Sequence, residues 1–259
     1  MQHSSDQIEK WAARQLADYD AREPGTLFGE GVTVDVDDGY RIQTAVAELR
    51  ELRGETIVGY KVGCTSPTIQ SQLGIEHYVT GHLFQTEQHL SGATIRRSQF
   101  ANLAIEGELA ITLAREPAES DFSVDGIPPC VASVFPVIEL HHLAMRGEHP
   151  SAGELIANNA IHGGFVAGDP VSHFDPVGEP SLSIHSDDSL LDHCSGAELI
   201  ETMRSSLQWL ADVLGDRGEH LTAGQIVLTG SIPSLIPISD CCRARVTATP
   251  FGNVEARVV

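Results

Sequence analysis

Basic residues are scarce in this sequence. The 259-residue chain carries 16 lysines and arginines against 36 aspartates and glutamates, which gives a formal net charge of −20. Because the phosphates of nucleic acids and of anionic membranes repel such a charge, neither is expected as a partner. A small anionic substrate would need a locally positive site, which a bound metal ion can supply in an acidic protein.

Long apolar runs and cysteine motifs are also missing. No apolar stretch approaches the roughly 18 residues of a membrane span, and the opening MQHSSDQIEK lacks the basic and apolar regions of a secretion signal. The five cysteines are an odd number without CxxC spacing, as expected for reduced thiols. We therefore expect a cytoplasmic protein that is neither secreted nor inserted in a membrane.

The pattern of helices and strands predicts an α+β protein with two regions. Residues 1–55 are expected to be helical, with Ser4 and Gln7 as a capping box and a second helix over 39–54. Residues 56–259 are expected to form one β-rich catalytic domain with a long packed helix between Gly196 and Gly218. Strands are predicted around residue 83 and over 103–113, 131–140, 163–167, 181–185, 224–230, 243–249 and 254–259.

Two carboxylates two positions apart interrupt the apolar run NLAIEGELAITLA. On a strand, Glu106 and Glu108 project from the same face. Like charges on a buried face repel each other and pay a desolvation cost, which a cation can offset. Glu139 ends another apolar run about thirty positions later, and three such oxygen ligands suit Mg²⁺ or Mn²⁺. The alternative is a solvent-exposed strand face.

Lys61 lies inside the strand-like segment GYKVGCTS. A lysine in a pocket binds carboxylates or takes part in proton transfer. A lysine on an edge strand protects the sheet against aggregation instead. Both interpretations stay open from the sequence.

An ordered set of motifs carries a family resemblance. The segments VGYKVGCTS, QLGI, GHLF, IEGELAITL, PVIEL, ANNA and GEHLTAGQIVLTGS occur in this order from about Gly54 onward. Together they resemble the 2-keto-4-pentenoate hydratase and 4-oxalocrotonate decarboxylase group of the fumarylacetoacetate hydrolase superfamily. The resemblance implies a mixed β-roll over 56–259 and a homo-oligomer, with a partner enzyme of the same pathway as a further possibility.

The same resemblance implies a set of site residues. Glu106, Glu108 and Glu139 would hold the divalent metal, and a 2-oxo acid substrate would chelate it. Lys61 matches the strand lysine of the family and is expected to be catalytic. The residues expected to bind substrate are Thr65, Ser66, Asn159 and Ser231.

This chain departs from the family pattern around the site. Val79 stands where hydratases of the group carry an acidic residue and the decarboxylases an apolar one. His141, His142 and Leu143 stand where the family commonly has Asp-Ser-Arg, and Asn158 stands where it usually has an aspartate. Neighbouring strand residues face opposite ways, so only one histidine can enter the pocket. We take His141 as the catalytic candidate; the alternative is a structural histidine.

The expected activity is that of a metal-dependent lyase. It would hydrate a 2-hydroxy-2,4-dienoate to a 4-hydroxy-2-oxo acid. A decarboxylase of a 4-oxalocrotonate-like diacid is the alternative, since both reactions place negative charge on the same 2-oxygen. A C–C bond hydrolase and a non-catalytic relative or assembly subunit that binds metal and a small acid complete the hypotheses.

Overall fold

The computed structural model describes residues 3–23, 26–143, 151–172 and 179–259. In these ranges the chain forms helices and strands in the mixture that the sequence predicts, so the α+β class is confirmed. The helices are α1 (Ser5–Ala21), α2 (Thr26–Gly29), α3 (Val36–Leu52), α4 (Pro67–Leu73), α5 (Ala152–Ala157) and α6 (Glu198–Asp216). The strands are β1 (Ile57–Gly63), β2 (Val79–Phe84), β3 (Gln88–Leu90), β4 (Ala93–Ile95), β5 (Leu103–Leu113), β6 (Val131–His142), β7 (His162–Ala167), β8 (Ser181–Ser186), β9 (Ser189–Ser195), β10 (Ile226–Leu228), β11 (Ile236–Pro237), β12 (Cys242–Thr249) and β13 (Gly252–Val258).

The N-terminal helices begin at side-chain caps. Ser4 caps α1 and accepts a hydrogen bond from the backbone N–H of Gln7. Asp35 caps α3 in the same way, through the N–H of Asp38 at 2.9 Å, so this helix begins three residues before the predicted start. Since α3 ends at Leu52 and β1 begins at Ile57, the predicted boundary at 55–56 falls in the connection. The division into two regions itself stays a prediction.

Helices α3 and α5 approach each other at the level of the backbone. A Cβ atom added at Gly39 would lie 2.7 Å from the carbonyl oxygen of Gly153, and one added at Gly153 would lie 2.2 Å from that of Val34. Glycine is the residue that permits such an approach. The contact holds α5, which the sequence analysis did not predict, against the N-terminal helices.

Two sheets form the β-rich body. The larger has the order β2-β1-β10-β5-β6-β7-β3, with β11 paired to the end of β5, and the smaller has the order β4-β13-β12-β8-β9. An apolar core lies between them and extends under α6 through Leu199, Met203, Leu207, Leu210 and Leu214. Within the described ranges, no helix is long and apolar enough to cross a membrane.

The pairing of β5 with β6 fixes the positions of the acidic residues. Glu106 lies directly opposite Glu139, and Glu108 lies opposite Val137. Gly107, between the two, faces the smaller sheet, where an added Cβ would lie 2.8 Å from the Ile184 side chain. Because side chains alternate along a strand, both carboxylates of β5 point away from the second sheet.

Candidate metal centre and active site

A cavity of about 510 Å³ opens on the face of the larger sheet that carries the carboxylates. Strands β1, β5 and β6, helices α4 and α5, and the segment 231–235 contribute its walls. The polar or charged side chains that line it are Lys61, Thr65, Ser66, Thr68, Gln72, Glu106, Glu108, His141, Ser231 and Ser234. Most of the predicted site residues therefore meet in one cavity.

Three potential metal ligands converge at the base of this cavity. Ligand atoms of Glu106, Glu139 and His141 all lie within 4.8 Å of one another. The His141 Nε2 atom is 3.0 Å from Glu106 Oε2 and 3.6 Å from Glu139 Oε2. Glu139 is fully buried, and its Oε2 atom has no hydrogen-bond partner among the described residues. A buried, unpartnered carboxylate oxygen beside two further donors fits a divalent cation.

Lys61 is a buried residue of the central sheet. Strand β1 lies between β2 and β10, so the edge-strand interpretation does not hold. The Lys61 Nζ atom donates to the Ala160 carbonyl at 3.2 Å and lies 3.2 Å from Glu139 Oε1. Burial lowers the pKa of Lys61, but the charges of Glu139, Glu106 and Glu108 outweigh it and raise the pKa above its ordinary value. The ammonium group is therefore a fixed positive charge on the cavity wall.

The two buried glutamates have opposite protonation tendencies. Burial, and then the charges of Glu139 and Glu106, raise the pKa of Glu108 well above its ordinary value. Burial also acts to raise the pKa of Glu139, but Lys61, His141 and a hydrogen bond with His162 lower it well below the ordinary range. Glu139 is thus the carboxylate that stays ionised, whereas Glu108 tends to keep its proton in the metal-free protein.

Glu108 lies in the cavity wall and makes a side-chain hydrogen bond with Glu139. It is 2% exposed, so the alternative of a solvent-exposed strand face is excluded for it. Its Oε2 atom accepts a hydrogen bond from the backbone N–H of Gly230 at 3.0 Å. Among the described residues, the ligand atoms that lie within 4.8 Å of one another belong to Glu106, Glu139 and His141. The sequence had predicted Glu108 as the third ligand. A ligand role for Glu108 stays a prediction.

His162 is a member of the site that the sequence analysis missed. It is 1% exposed, and its Nδ1 atom lies 2.7 Å from Glu139 Oε1. Together with Lys61 it engages Oε1 of Glu139 and leaves Oε2 directed to the other side. His162 lies immediately before the predicted strand 163–167, and its proximity to Glu139 depends on the pairing of β6 with β7, which the sequence does not reveal.

Three of the predicted substrate-binding residues line the cavity. Ser66 precedes α4 as its N-cap residue and makes no side-chain cap bond. Thr65 Oγ1 donates weakly, at 3.4 Å, to the carbonyl of Ser231. The Ser231 hydroxyl donates to the carbonyl oxygens of Gly107 and Pro233 at 3.2 and 2.8 Å. These contacts tie the 231–235 segment to the sheet beside the carboxylates.

Asn159 is not brought to this cavity. Its side-chain Oδ1 accepts from the His82 N–H at 2.7 Å, and its Nδ2 donates to the His82 carbonyl at 2.9 Å. The side-chain amide of Asn159 therefore pairs with the backbone of β2 at His82, as a neighbouring strand would. This geometry does not support a substrate-binding role for Asn159. Residues 159–161 all have positive φ values, and this turn directs the Ala160 carbonyl toward Lys61.

The two adjacent histidines face opposite ways, as strand geometry predicts. His141 lines the cavity, whereas His142 lies on the other face of the sheet with its ring 5.0 Å from that of Tyr19. Burial, with a smaller contribution from Arg22, lowers the pKa of His142 to about 4. His142 is therefore a structural histidine that stays neutral in the folded protein.

Apolar side chains form much of the remaining cavity wall. Val79, the residue at the family's acidic position, is fully buried there. It belongs to one apolar cluster whose cavity-lining members include Leu73, Leu143, Leu155, Ile161 and Leu235. Cys64 also lines the cavity, but burial raises the pKa of its thiol to about 11, so it is not a thiolate nucleophile at neutral pH.

Comparison with known proteins finds relatives with the same names as the enzyme group that the motifs resemble. No family model matches the sequence. A 4-oxalocrotonate decarboxylase of Pseudomonas putida is 25% identical over 224 residues, which are 86% of this chain and 85% of the relative. A 2-keto-4-pentenoate hydratase of Burkholderia vietnamiensis (strain G4 / LMG 22486) is 28% identical over 219 residues, 84% of each chain.

A solved structure shows the same fold over the whole length. It is 4-oxalocrotonate decarboxylase from Pseudomonas putida G7, complexed with magnesium and adipate. The TM-score is 0.89 at 22% identity, and the match covers 100% of this chain and 99% of that one. The resemblance to the hydratase and decarboxylase group and the fumarylacetoacetate hydrolase-like fold, both predicted from the sequence, are confirmed.

Proposed function

We propose that this protein is a divalent-metal-dependent lyase that hydrates a 2-hydroxy-2,4-dienoate to a 4-hydroxy-2-oxo acid. Curated relatives named as hydratases and decarboxylases support an enzyme of this kind. The observation that carries the proposal is one cavity that combines converging acidic ligands, a fixed ammonium group and an apolar wall.

Glu106 and Glu139 would hold the metal ion, with Glu108 as the third oxygen ligand that the resemblance implies. Mg²⁺ or Mn²⁺ suits carboxylate ligands, and a relative of the same fold was solved with magnesium. When bound, the ion supplies positive charge that attracts the 1-carboxylate and 2-oxygen of the substrate and stabilises negative charge on that oxygen.

Lys61 acts as a cation and proton donor rather than as a base. Its raised pKa keeps the ammonium group charged at neutral pH. From its position beside Glu139, Nζ can hold the substrate carboxylate or deliver a proton to the dienol carbon as the ketone forms. The acid-base role expected for His141 fits less well, because its Nε2 atom lies between two carboxylates.

The apolar wall favours a substrate with one carboxylate. Among the described residues that line the cavity, the side chains able to carry a positive charge are Lys61 and His141, both beside the carboxylates. The second carboxylate of a diacid would find no cationic partner among the other described lining residues, which include Leu73, Leu155 and Leu235, and this is costly. This contrast places hydration ahead of decarboxylation.

The decarboxylase remains the second candidate because of Val79. An apolar residue at this position is typical of the decarboxylase branch, and it is fully buried in the cavity wall. A 4-oxalocrotonate-like diacid would then be the substrate.

One assay separates these functions. Metal-loaded protein is mixed with freshly generated 2-hydroxypenta-2,4-dienoate or with 4-oxalocrotonate, while ultraviolet absorbance and CO₂ release are followed. We expect turnover of the first without CO₂, loss of turnover on chelation with EDTA, and recovery with Mg²⁺ or Mn²⁺. CO₂ from the second substrate would assign the decarboxylase, and no turnover of either would favour a non-catalytic relative.

Matched variants test whether the activity belongs to this site. Glu106→Gln removes one candidate metal ligand without changing the size of the side chain. Asp188→Asn makes the same chemical change on the exposed turn between β8 and β9. The first is expected to abolish turnover and the second to leave it unchanged.

Two further expectations accompany the proposed function. A cytoplasmic location agrees with the five cysteines, all of which are free thiols. A homo-oligomer agrees with the exposed leucines of strand β9, where Leu190 is 59% and Leu191 41% exposed at the edge of the smaller sheet. Light scattering at micromolar concentration measures the subunit number, and a monomer would contradict the second expectation.

A further inference from the structure

An imidazole stands among the carboxylates of the proposed metal centre. His141 follows Glu139 by two positions on β6, so both side chains project from the same face of the sheet. Its side chain is 2% exposed, and its Nε2 atom points between Glu106 and Glu139. The motifs that carry the family resemblance implied three carboxylate ligands, and they did not implicate an imidazole.

The separations of these atoms fit ligands that share one ion. Two donors about 2.1 Å from a metal and at right angles to each other lie about 3 Å apart, and wider angles increase this distance. The distances from His141 Nε2 are 3.0 Å to Glu106 Oε2 and 3.6 Å to Glu139 Oε2. A single ion can therefore contact all three side chains after small shifts.

The contacts around Glu139 engage its Oε1 atom and leave its Oε2 atom to bind this ion. Its Oε1 atom is engaged by His162 Nδ1 at 2.7 Å and by Lys61 Nζ at 3.2 Å. Its Oε2 atom is buried and, as far as the described residues go, without a hydrogen-bond partner. Partners of this kind commonly orient a ligating carboxylate from behind.

We propose that His141 is a metal ligand, so that the centre is a mixed nitrogen and oxygen site that prefers Mn²⁺ or Co²⁺ to Mg²⁺. The inference rests on the proposed metal-dependent function. Imidazole nitrogen suits transition metals, whereas Mg²⁺ prefers oxygen ligands alone. An imidazole ligand, unlike a carboxylate, also brings no negative charge of its own, so it adds less to the attraction for a hard cation. The site would thereby select Mn²⁺ or Co²⁺ over Mg²⁺, although all three carry the same charge.

Pulsed electron paramagnetic resonance of the Mn²⁺-loaded protein tests the ligand directly. We expect ¹⁴N modulation from a directly bound imidazole in the wild-type protein and its loss in His141→Gln. His142→Gln is the matched control, because it changes the adjacent histidine on the opposite face of the same strand, and it should keep the signal. Circular dichroism checks that both variants fold, and His141→Asn serves if His141→Gln does not. Mn²⁺ bound without ¹⁴N modulation would overturn the inference, as would a signal that persists without His141.

Metal affinity gives a second readout that does not depend on turnover. By titration calorimetry with each ion alone, wild-type protein should bind Mn²⁺ at least about tenfold more tightly than Mg²⁺. His141→Gln should lose about 10- to 100-fold in Mn²⁺ affinity and much less in Mg²⁺ affinity. Equal losses for both ions would overturn the inference but leave the metal-dependent function standing. Absence of binding by either ion would overturn both.

Discussion

Replacement of Glu139 by glutamine is expected to destabilise the metal-free protein far more than the same change at Glu108. Glu139 is fully buried, and its negative charge compensates that of Lys61. Its Oε1 atom lies 3.2 Å from Lys61 Nζ and 2.7 Å from His162 Nδ1. Removal of one partner of a buried pair leaves the other charge uncompensated, which costs about 3–5 kcal/mol. Burial and two neighbouring charges raise the pKa of Glu108, so it tends to stay neutral already. Glutamine resembles the protonated side chain, and Glu108→Gln should cost less than about 1 kcal/mol.

Urea unfolding of EDTA-treated protein at pH 7, followed by circular dichroism, measures both free energies. In a thermal melt, Glu139→Gln should lower Tm by about 6–20 °C, at about 2–4 °C per kcal/mol for a chain of this size. Asp188→Asn serves as the exposed control and should show no change. Equal losses for Glu139→Gln and Glu108→Gln, or the larger loss for Glu108→Gln, would refute the assignment of the charged and neutral carboxylates.

Three further predictions concern the site and its support. Lys61→Met should reduce kcat by about 10²–10⁴-fold, because the proton donor is lost, while the metal affinity measured by calorimetry does not fall; a reduction below tenfold would contradict the role of Lys61. The pKa of His142 is lowered to about 4 in the folded protein, so protonation favours unfolding as pH falls below the ordinary value near 6.5. Wild-type protein should lose up to about 3 kcal/mol of stability through this group between pH 6.5 and 4, and a His142→Leu variant should show a correspondingly shallower pH dependence in urea unfolding. Gly153→Ala should destabilise by about 1–3 kcal/mol, since the new methyl group would lie 2.2 Å from the Val34 carbonyl; an unchanged Tm would contradict the close packing of α5.

Alternation and capping residues predicted the longer elements well. The predicted strand 103–113 coincides with β5, and the helix predicted between Gly196 and Gly218 contains α6 (Glu198–Asp216). The short strands β3, β4 and β11 were missed because two or three residues show no periodicity. The polar and exposed strand β9 was missed because its pairing with β8, not a buried face, holds it in place.

The arrangement of site residues on a single strand was predictable from the sequence, whereas contacts between strands were not. The two-residue spacing placed Glu106 and Glu108 on one face without knowledge of the fold. The contact of Glu106 with Glu139 depends on the register of β5 against β6, which separate sequence positions do not reveal. His162 reaches Glu139 through the pairing of β6 with β7, where the register shifts next to His141.

Charge balance connects the acidic composition to the proposed chemistry. Lys61 is one fixed cation against three carboxylates, and the proton that Glu108 tends to retain removes one negative charge from this balance. Glu106 and Glu139 then leave the cavity with a net negative charge that would repel an anionic substrate. In the proposed centre, with His141 as the third ligand, a bound divalent ion would reverse this to a single positive charge. One substrate carboxylate would neutralise that charge and a second would exceed it. The electrostatics of the proposed centre and the apolar side chains of the cavity therefore favour the same substrate, a monocarboxylate.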